Sequence, residues 1–194
     1  GNVISPDEII EQGYGADAIR LMELFIGPWN QEAAWSVEGM GGCFKFLQRV
    51  WTLAQEFIES EASNDQSSTT NDQLIRVTHQ TIKKVSEDLH TMGFNTAIAS
   101  LMAMTNELYK IKSEDSFADV ENWGIALKTL TQLLAPFAPH IAEEMWQDLG
   151  HSSTVHKDTW PKWDEKYLNS DKITIAVQVN GKVRAEIEVD TNSS

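Results

Sequence analysis

Two prolines three residues apart, inside an apolar stretch from Leu133 to Trp146, restrict this chain more than any other feature it carries. Pro136 has no N–H, and its ring clashes with the carbonyl four residues back, so it is expected to kink or end one helix. Pro139 suits the first turn of a following helix, where no intrahelical donor is needed. Leu133, Leu134, Phe137, Ile141, Met145 and Trp146 keep a spacing of three to four through the break. Such a pattern buries both sides of a rigid break and thereby sets the angle between two helices. Glu143 and Glu144 fall towards the positive end of the second helix and are expected to complement its dipole. His140 is expected to be a hydrogen-bonded packing residue.

Helical periodicity extends over most of the remaining chain. Ser5-Pro6-Asp7-Glu8 is a compact helix start, with Ser5 as cap and Glu8 completing a capping box. That helix ends near Gly13 and Gly15. A second follows from Asp17 to Phe25, stopped by Gly27-Pro28, and Arg20 within it is expected to find a carboxylate. Ser36 caps a long helix to about Ser60, with Val37, Met40, Phe44, Leu47, Trp51, Ala54 and Ile58 as its stripe. Gly39, Gly41 and Gly42 in its first turns cost about 1 kcal/mol each against Ala, which predicts close approach of another backbone or an irregular start to the helix. Glu61 to Gln73 is polar and predicts a mobile surface loop. Further helices are expected from Gln73 to Met92, from a cap at Asn95 or Thr96 onward, and from Phe117 to Ala135.

After Gly150 the pattern changes. His151 to Lys172 is irregular, punctuated by Trp160-Pro161-Lys162-Trp163. Ile173, Ile175, Val177 and Val179 then alternate with polar residues, and Val183, Ala185, Ile187 and Val189 do so again after Asn180-Gly181. Asn-Gly between alternating runs signals a β-hairpin. An isolated hairpin is marginal in water, so this one is expected to begin a small domain that the chain does not finish. The fold expected is mainly α: about six helices in a bundle, then a hairpin.

Composition narrows the chemistry. The chain of 194 residues is 41% hydrophobic with seven tryptophans, ample material for a core. A net charge of −14 argues against nucleic-acid binding by bulk charge and leaves room only for local basic pairs. These are Lys45 with Arg49, Lys83 with Lys84, Lys110 with Lys112, and Lys182 with Arg184. Cys43 is the only cysteine, so an internal disulfide and a cysteine-based zinc cluster are excluded, in keeping with a reducing cytoplasm. No apolar run has the length of a membrane span, and Gly1 to Pro6 has no signal-peptide character. The missing initiator Met is expected of a segment from a longer protein.

The sequence carries no Walker loop, no Gly-x-Ser-x-Gly and no His-Glu-x-x-His. Gly39-Met40-Gly41-Gly42 follows no strand and precedes no Gly-Lys-Ser/Thr, so it is not a phosphate loop. No catalytic residue and no metal ligand is expected. Two classes stay open on the residues alone: an RNA-binding accessory module of an enzyme, and a helical protein-interaction module.

Several stretches together resemble the C-terminal part of bacterial leucyl-tRNA synthetases, class I aminoacyl-tRNA synthetases. Gly1-Asn2-Val3-Ile4-Ser5-Pro6 is similar to the residues directly after their KMSKS signature. Tyr14-Gly15-Ala16-Asp17-Ala18 with Arg20 resembles a segment shared with the valyl, isoleucyl and methionyl enzymes, as does Trp35, Gly39, Gly42, Lys45-Phe46-Leu47, Arg49 and Trp51. Lys45 stands where the family usually has Arg, and Gly13 resembles a one-residue insertion. Phe94 to Ala99 and Leu133 to Trp146 resemble the anticodon-binding-type bundle, and Val177 to Arg184 the start of the leucine enzyme's C-terminal domain. The front half is thus compatible with any of the four enzymes; the hairpin points to the leucine enzyme.

The resemblance implies a division into connector helices at 1–30, the bundle at 31–150, a linker at 151–172 and the incomplete hairpin domain at 173–194. It implies a cytoplasmic, monomeric parent that uses ATP and Mg2+ to attach leucine to tRNA-Leu, with catalytic and editing domains upstream. This segment would be non-catalytic and would help to position the tRNA. Gly1 and Asn2 would be the remnant of the signature loop on the ATP side. Lys45, Arg49, Lys182 and Arg184 are the residues expected to meet tRNA. Phosphate contacts position RNA without reading sequence and need only a few cations on one face. Strict alternation would put Lys182 and Arg184 on the hairpin face opposite Val183 and Ala185.

Overall fold

A computed structural model describes residues 5–32, 37–62, 70–168, 172–179 and 182–190, and of both strands it describes the backbone path. Seven α-helices stand among the described residues: α1 (Pro6–Glu11), α2 (Ala16–Phe25), α3 (Val37–Ala62), α4 (Asp72–His90), α5 (Phe94–Asp115), α6 (Val120–Leu134) and α7 (Pro139–Asp148). Two strands follow, β1 (Lys172–Val179) and β2 (Lys182–Asp190). Residues up to Trp163 form one compact unit and residues from Asp164 another. Among the described residues no helix is long and apolar enough to cross a membrane.

The stripes read from the sequence form one main core in the first unit, with a smaller cluster around Trp146. Leu21, Met40, Leu53, Phe57, Leu74, Ile98, Leu101, Leu108, Trp123 and Leu130 are all fully buried. Phe57, Phe117 and Trp123 stand edge to face, with ring centroids 5.5 and 4.8 Å apart, an arrangement that the aromatic quadrupole favours. Burial pushes the Cys43 thiol up to about 11, so it holds little reactive thiolate at neutral pH.

The double-proline stretch breaks later than expected. The helical turn runs on past Pro136, because Phe137 and Ala138 both donate N–H bonds to the Leu134 carbonyl, at 2.9 and 3.0 Å. The chain leaves helical geometry at Ala138 (φ −133°, ψ 75°). The cause is Pro139, whose ring excludes the α region for the residue before it. Pro139 then opens α7 as foreseen.

α7 has no cap of its own, and α2 supplies one. Asp17, 7% exposed, accepts the N–H of His140 at 3.3 Å and that of Ile141 at 2.7 Å. A carboxylate on the first free N–H groups of a helix is the most favourable capping charge. The His140 ring also meets Asp17, Nδ1 to Oδ1 at 2.8 Å, but it is 76% exposed, so it is hydrogen-bonded without being packed. Among the described residues Arg20 finds no carboxylate partner; its Nη2 donates to the Pro136 carbonyl at 3.2 Å. Asp17 and Arg20, both on α2, thus clasp the two sides of the break.

Other caps correct the sequence reading locally. The Ser5 hydroxyl accepts from Asp7 rather than Glu8. α4 begins at the cap Asn71, whose own N–H is held by Asp119 at 2.7 Å, so the polar stretch is already anchored there; residues 63–69 lie outside the described residues. Met92, not Gly93, takes the left-handed conformation after α4, with φ 57°. Gly93 is required for a different reason: a Cβ there would lie 2.8 Å from Thr96 Oγ1 and 3.3 Å from the Asp88 carbonyl. It is Gly93 that caps α5, not Asn95 or Thr96. The glycines of α3 serve no backbone approach at Gly41 and Gly42: a Cβ would meet only Tyr14 Oη, at 3.8 Å, from Gly41 and nothing within 4 Å from Gly42.

The first part of the stretch expected as a linker packs on the helices. Val155 is buried with Ala135, Ala142 and Trp146. Gln132 Nε2 donates to Asp158 Oδ2 at 2.7 Å and to the Thr159 carbonyl at 3.0 Å, and Trp160 Nε1 donates to Ser86 Oγ at 2.8 Å. Glu143 is the anchor rather than a dipole partner. It lies beyond the first turn of α7 and accepts from Thr154 Oγ1 at 2.8 Å and Val155 N at 3.1 Å.

This seam is expected to be acid-sensitive. The Thr154 hydroxyl, outweighing desolvation, with Gln147, Val155 and the His156 charge behind it, holds the Glu143 carboxyl below its ordinary value. His151 stacks on Trp146 at 3.8 Å, and burial first, then the Lys128 charge, lowers its pKa from 6.5. A histidine of lowered folded-state pKa binds its proton more readily when unfolded, so stability falls as pH drops through about 6.5. A lowered carboxylate contributes stability above about 4.5 that is lost as pH falls through its folded-state value. Thermal melts at pH 7.5 and 5.5 are expected to show a loss of midpoint at the lower pH that His151→Gln removes. An equal loss in the variant would take His151 out of the account.

In the second unit β1 and β2 pair antiparallel, from Lys172 opposite Asp190 to Val179 opposite Lys182. The register shifts between Val177 and Gln178: Val177 faces Ala185 but Gln178 faces Val183, and Arg184 is skipped. Such a bulge ends strict alternation. Val183 therefore shares its register position with Gln178, and Lys182 with Val179, contrary to the even alternation expected. Asn180 and Gly181 lie outside the described residues.

Candidate nucleic-acid interface

Lys45 and Arg49 stand one turn apart on α3 and both are exposed. Residues four apart share a helix face, so the pairing foreseen from spacing is present in the fold. What spacing did not reveal is that α5 receives Arg49. Its Nη1 donates to Asn106 Oδ1 at 2.8 Å, and its guanidinium lies 4.7 Å from the Tyr109 ring centre. The Tyr109 hydroxyl closes the loop by donating to the Arg49 carbonyl at 2.9 Å. Burial, followed by the Glu56 charge, raises the Tyr109 pKa, and Arg49 opposes this, so the phenol remains a donor at neutral pH.

The arrangement orients a planar cation. A guanidinium presents five N–H donors, and the amide of Asn106 occupies only one nitrogen, leaving donors at the surface. Stacking on an aromatic ring and one fixed hydrogen bond reduce the rotamer freedom that a free surface arginine would lose on meeting a phosphate. Arginine forks fit phosphate oxygens in pairs. Asn106 and Tyr109 are three apart on α5, so the one visible sign of this platform was their helical spacing opposite a basic pair.

Of two other basic pairs, one member each is held by a carboxylate. Lys84 pairs with Asp88 on its own helix. Lys112 pairs with Glu56 across α3 and α5 and lies 5.4 Å from the Phe117 ring. Lys182 stands opposite Val179 in the strand ladder and Arg184 at the bulge. Gly1 and Asn2 lie outside the described residues. Among the described residues no group of three or more His, Cys, Asp or Glu side chains stands together as a metal site.

Comparison with known proteins gives this geometry its context. Residues 71–194 match the family model described as the anticodon-binding domain of tRNA ligase. A leucine–tRNA ligase of Herpetosiphon aurantiacus is 47% identical over 189 residues, covering 97% of this chain and 22% of that protein. One from Dehalococcoides mccartyi is 41% identical over 194 residues, covering 100% of this chain and 23% of that protein. The chain therefore spans less than a quarter of the length of the curated relatives it matches. A crystal structure of a ternary complex of LeuRS, tRNA and LeuAMS from Agrobacterium radiobacter K84 superposes with a TM-score of 0.75 at 30% identity, covering 98% of this chain and 25% of that one.

Proposed function

This chain belongs to the anticodon-binding domain family of tRNA ligases, and we propose that it is the segment with which a leucine–tRNA ligase holds tRNA-Leu during ATP-dependent leucylation. The single observation that carries the reading is the likeness, over 98% of the chain, to a ligase whose structure contains tRNA. Segments of the valyl, isoleucyl or methionyl enzymes remain the alternative within the class, and the relatives at 47% and 41% identity favour leucine. The segment itself supplies position and no chemistry. In this reading ATP and Mg2+ are bound by the remainder of the full enzyme.

In this reading residues 1–30 connect the bundle to the catalytic body, 31–150 form the bundle proper, and 173–194 begin a small α+β C-terminal domain. The parent works as a cytoplasmic monomer. Phosphates of the tRNA meet Lys45 and the stacked Arg49, and Lys182 and Arg184 offer a second pair of cations at the far end of the sequence. The strongly acidic remainder, −14 overall, discourages RNA from settling elsewhere.

Reversing charge at Lys45 and Arg49 together is expected to weaken tRNA-Leu binding by the full-length ligase about tenfold or more and to reduce the salt slope by about two, one per lost phosphate contact. Leucine-dependent ATP–pyrophosphate exchange should be unchanged. Tyr109→Leu, which removes the stack and keeps the charge, should weaken binding less and leave the slope near its original value. Unaltered binding in the double variant would remove this platform from the interface. A protein-interaction module, the competing reading, predicts no salt-dependent tRNA binding at all.

A further inference from the structure

One apolar feature is used neither by the clasp nor by the Arg49 platform. A groove of about 350 Å3 opens between α2, α3 and α7, walled by Ala18, Phe44, Leu47, Trp51 and Ile141. Gln48 and Thr52, one turn apart on α3 and both exposed, form its rim. Among the described residues the one charged residue in the lining is Asp17, whose two oxygens already hold the N–H groups of α7.

The chemistry of the lining selects the class of occupant. Among the described residues no Lys or Arg lines the groove, and a phosphate entering it would meet the Asp17 carboxylate, so RNA is disfavoured. A small polar ligand needs several convergent hydrogen-bonding groups within an apolar pocket, and here the buried polar group is already satisfied. What the wall can gain from is removal of apolar surface from water. Such a lining suits an apolar side chain of a protein.

We infer that this groove is the socket for an apolar segment of the remaining part of the same polypeptide. The relatives contain the whole of this fold, at 97–100% coverage of the chain, yet only 22–23% of their own length lies in the match. Every wall of the socket is thus within the matched segment, and more than three quarters of the polypeptide lies outside it. The inference rests on the reading of the chain as one segment of a larger ligase. Its consequence is mechanical: Asp17 and Ile141 line the socket and also form the clasp, so an occupant braces the α6–α7 break from the side of α2.

The test uses the full-length ligase that contains this chain, with the photocrosslinking residue p-benzoylphenylalanine placed at Gln48 and, separately, at Thr52. After irradiation and digestion, mass spectrometry is expected to find the α3 peptide joined to a peptide outside residues 1–194 of the same polypeptide. The same residue at Glu87 on α4 should lose that adduct. Several results would overturn the socket: an adduct to tRNA, an adduct to a second copy (seen as doubled mass on a denaturing gel), adducts confined to residues 1–194, the same adduct from position 87, or none from either rim position. Both rim residues are exposed, so the two variants should melt with the parent; a lowered midpoint in both would overturn the assignment of Gln48 and Thr52 to an open rim. Leucylation by the unsubstituted enzyme is measured alongside: its absence would defeat the tRNA-ligase reading, whichever crosslink is found.

Discussion

Asp17→Ala is expected to destabilise the chain by about 3 kcal/mol, combining a lost helix cap with the burial of the N–H groups it leaves unpaired. For a chain of this size that corresponds to a fall of roughly 6 to 12 °C in the melting midpoint. The effect is large for one surface-proximal carboxylate because Asp17 is 7% exposed and caps a helix more than a hundred residues away in sequence. Asp17→Asn keeps an acceptor for one N–H but lacks the charge, and should recover about half of the loss. His140→Ala should cost little, since the ring is 76% exposed and ion pairs at such positions contribute little. In the full-length ligase, Asp17→Ala should impair tRNA charging more than leucine activation at a temperature where both proteins are folded. Equal loss of the two activities would reduce the clasp to fold support. A melting midpoint unchanged by Asp17→Ala would contradict the capping account altogether.

Trp123→Ala is expected to cost still more, about 4 kcal/mol, the range for removing a large aromatic from a packed core. Trp123 is 1% exposed and ends the edge-to-face run through Phe117 to Phe57, which joins α6 to α3. Its loss removes both the transferred apolar area and the partner of Phe117. Trp123→Phe should restore more than half of the stability, because a ring still meets the Phe117 edge. Chemical denaturation followed by circular dichroism measures both. If the alanine variant lost less than about 1 kcal/mol, the site would have to collapse far better than such cores usually do.

These two residues also mark how far the sequence could be read. Trp123 belongs to a helical stripe, and periodicity places such a residue in a core without further help. The helices themselves were legible for the same reason, and Asn-Gly between alternating runs pointed to the two strands. Asp17 was visible only as part of a stretch resembling tRNA synthetases; no local rule connects it to a helix start 123 residues further on. Caps from a distant element leave no trace in spacing. The same limit applies at Arg49, whose partners Asn106 and Tyr109 lie on another helix. It applies to Glu143, which reads as a dipole partner and in fact holds Thr154 and Val155. The strand bulge that skips Arg184 was hidden because the hydrophobic pattern looks equally regular with or without it. Where periodicity and local turn chemistry suffice, the sequence is informative; where an interaction joins elements remote in the chain, it is silent.

Ala135 still keeps helical torsions (φ −51°, ψ −39°), Ala138 does not, and α7 starts immediately after it. The change of direction is therefore confined to the short stretch between Leu134 and Pro139. A helix advances about 100° per residue, so inserting one residue there would turn Trp146 out of the core and bring Glu144 in, and deleting one would turn Met145 out and bring Gln147 in. The clasp would fail together with the core, since the N–H groups of His140 and Ile141 would rotate away from Asp17. This stretch should be among the parts of the chain least tolerant of a change in length, while substitutions at exposed Pro136, which the turn passes without breaking, should be borne with ease.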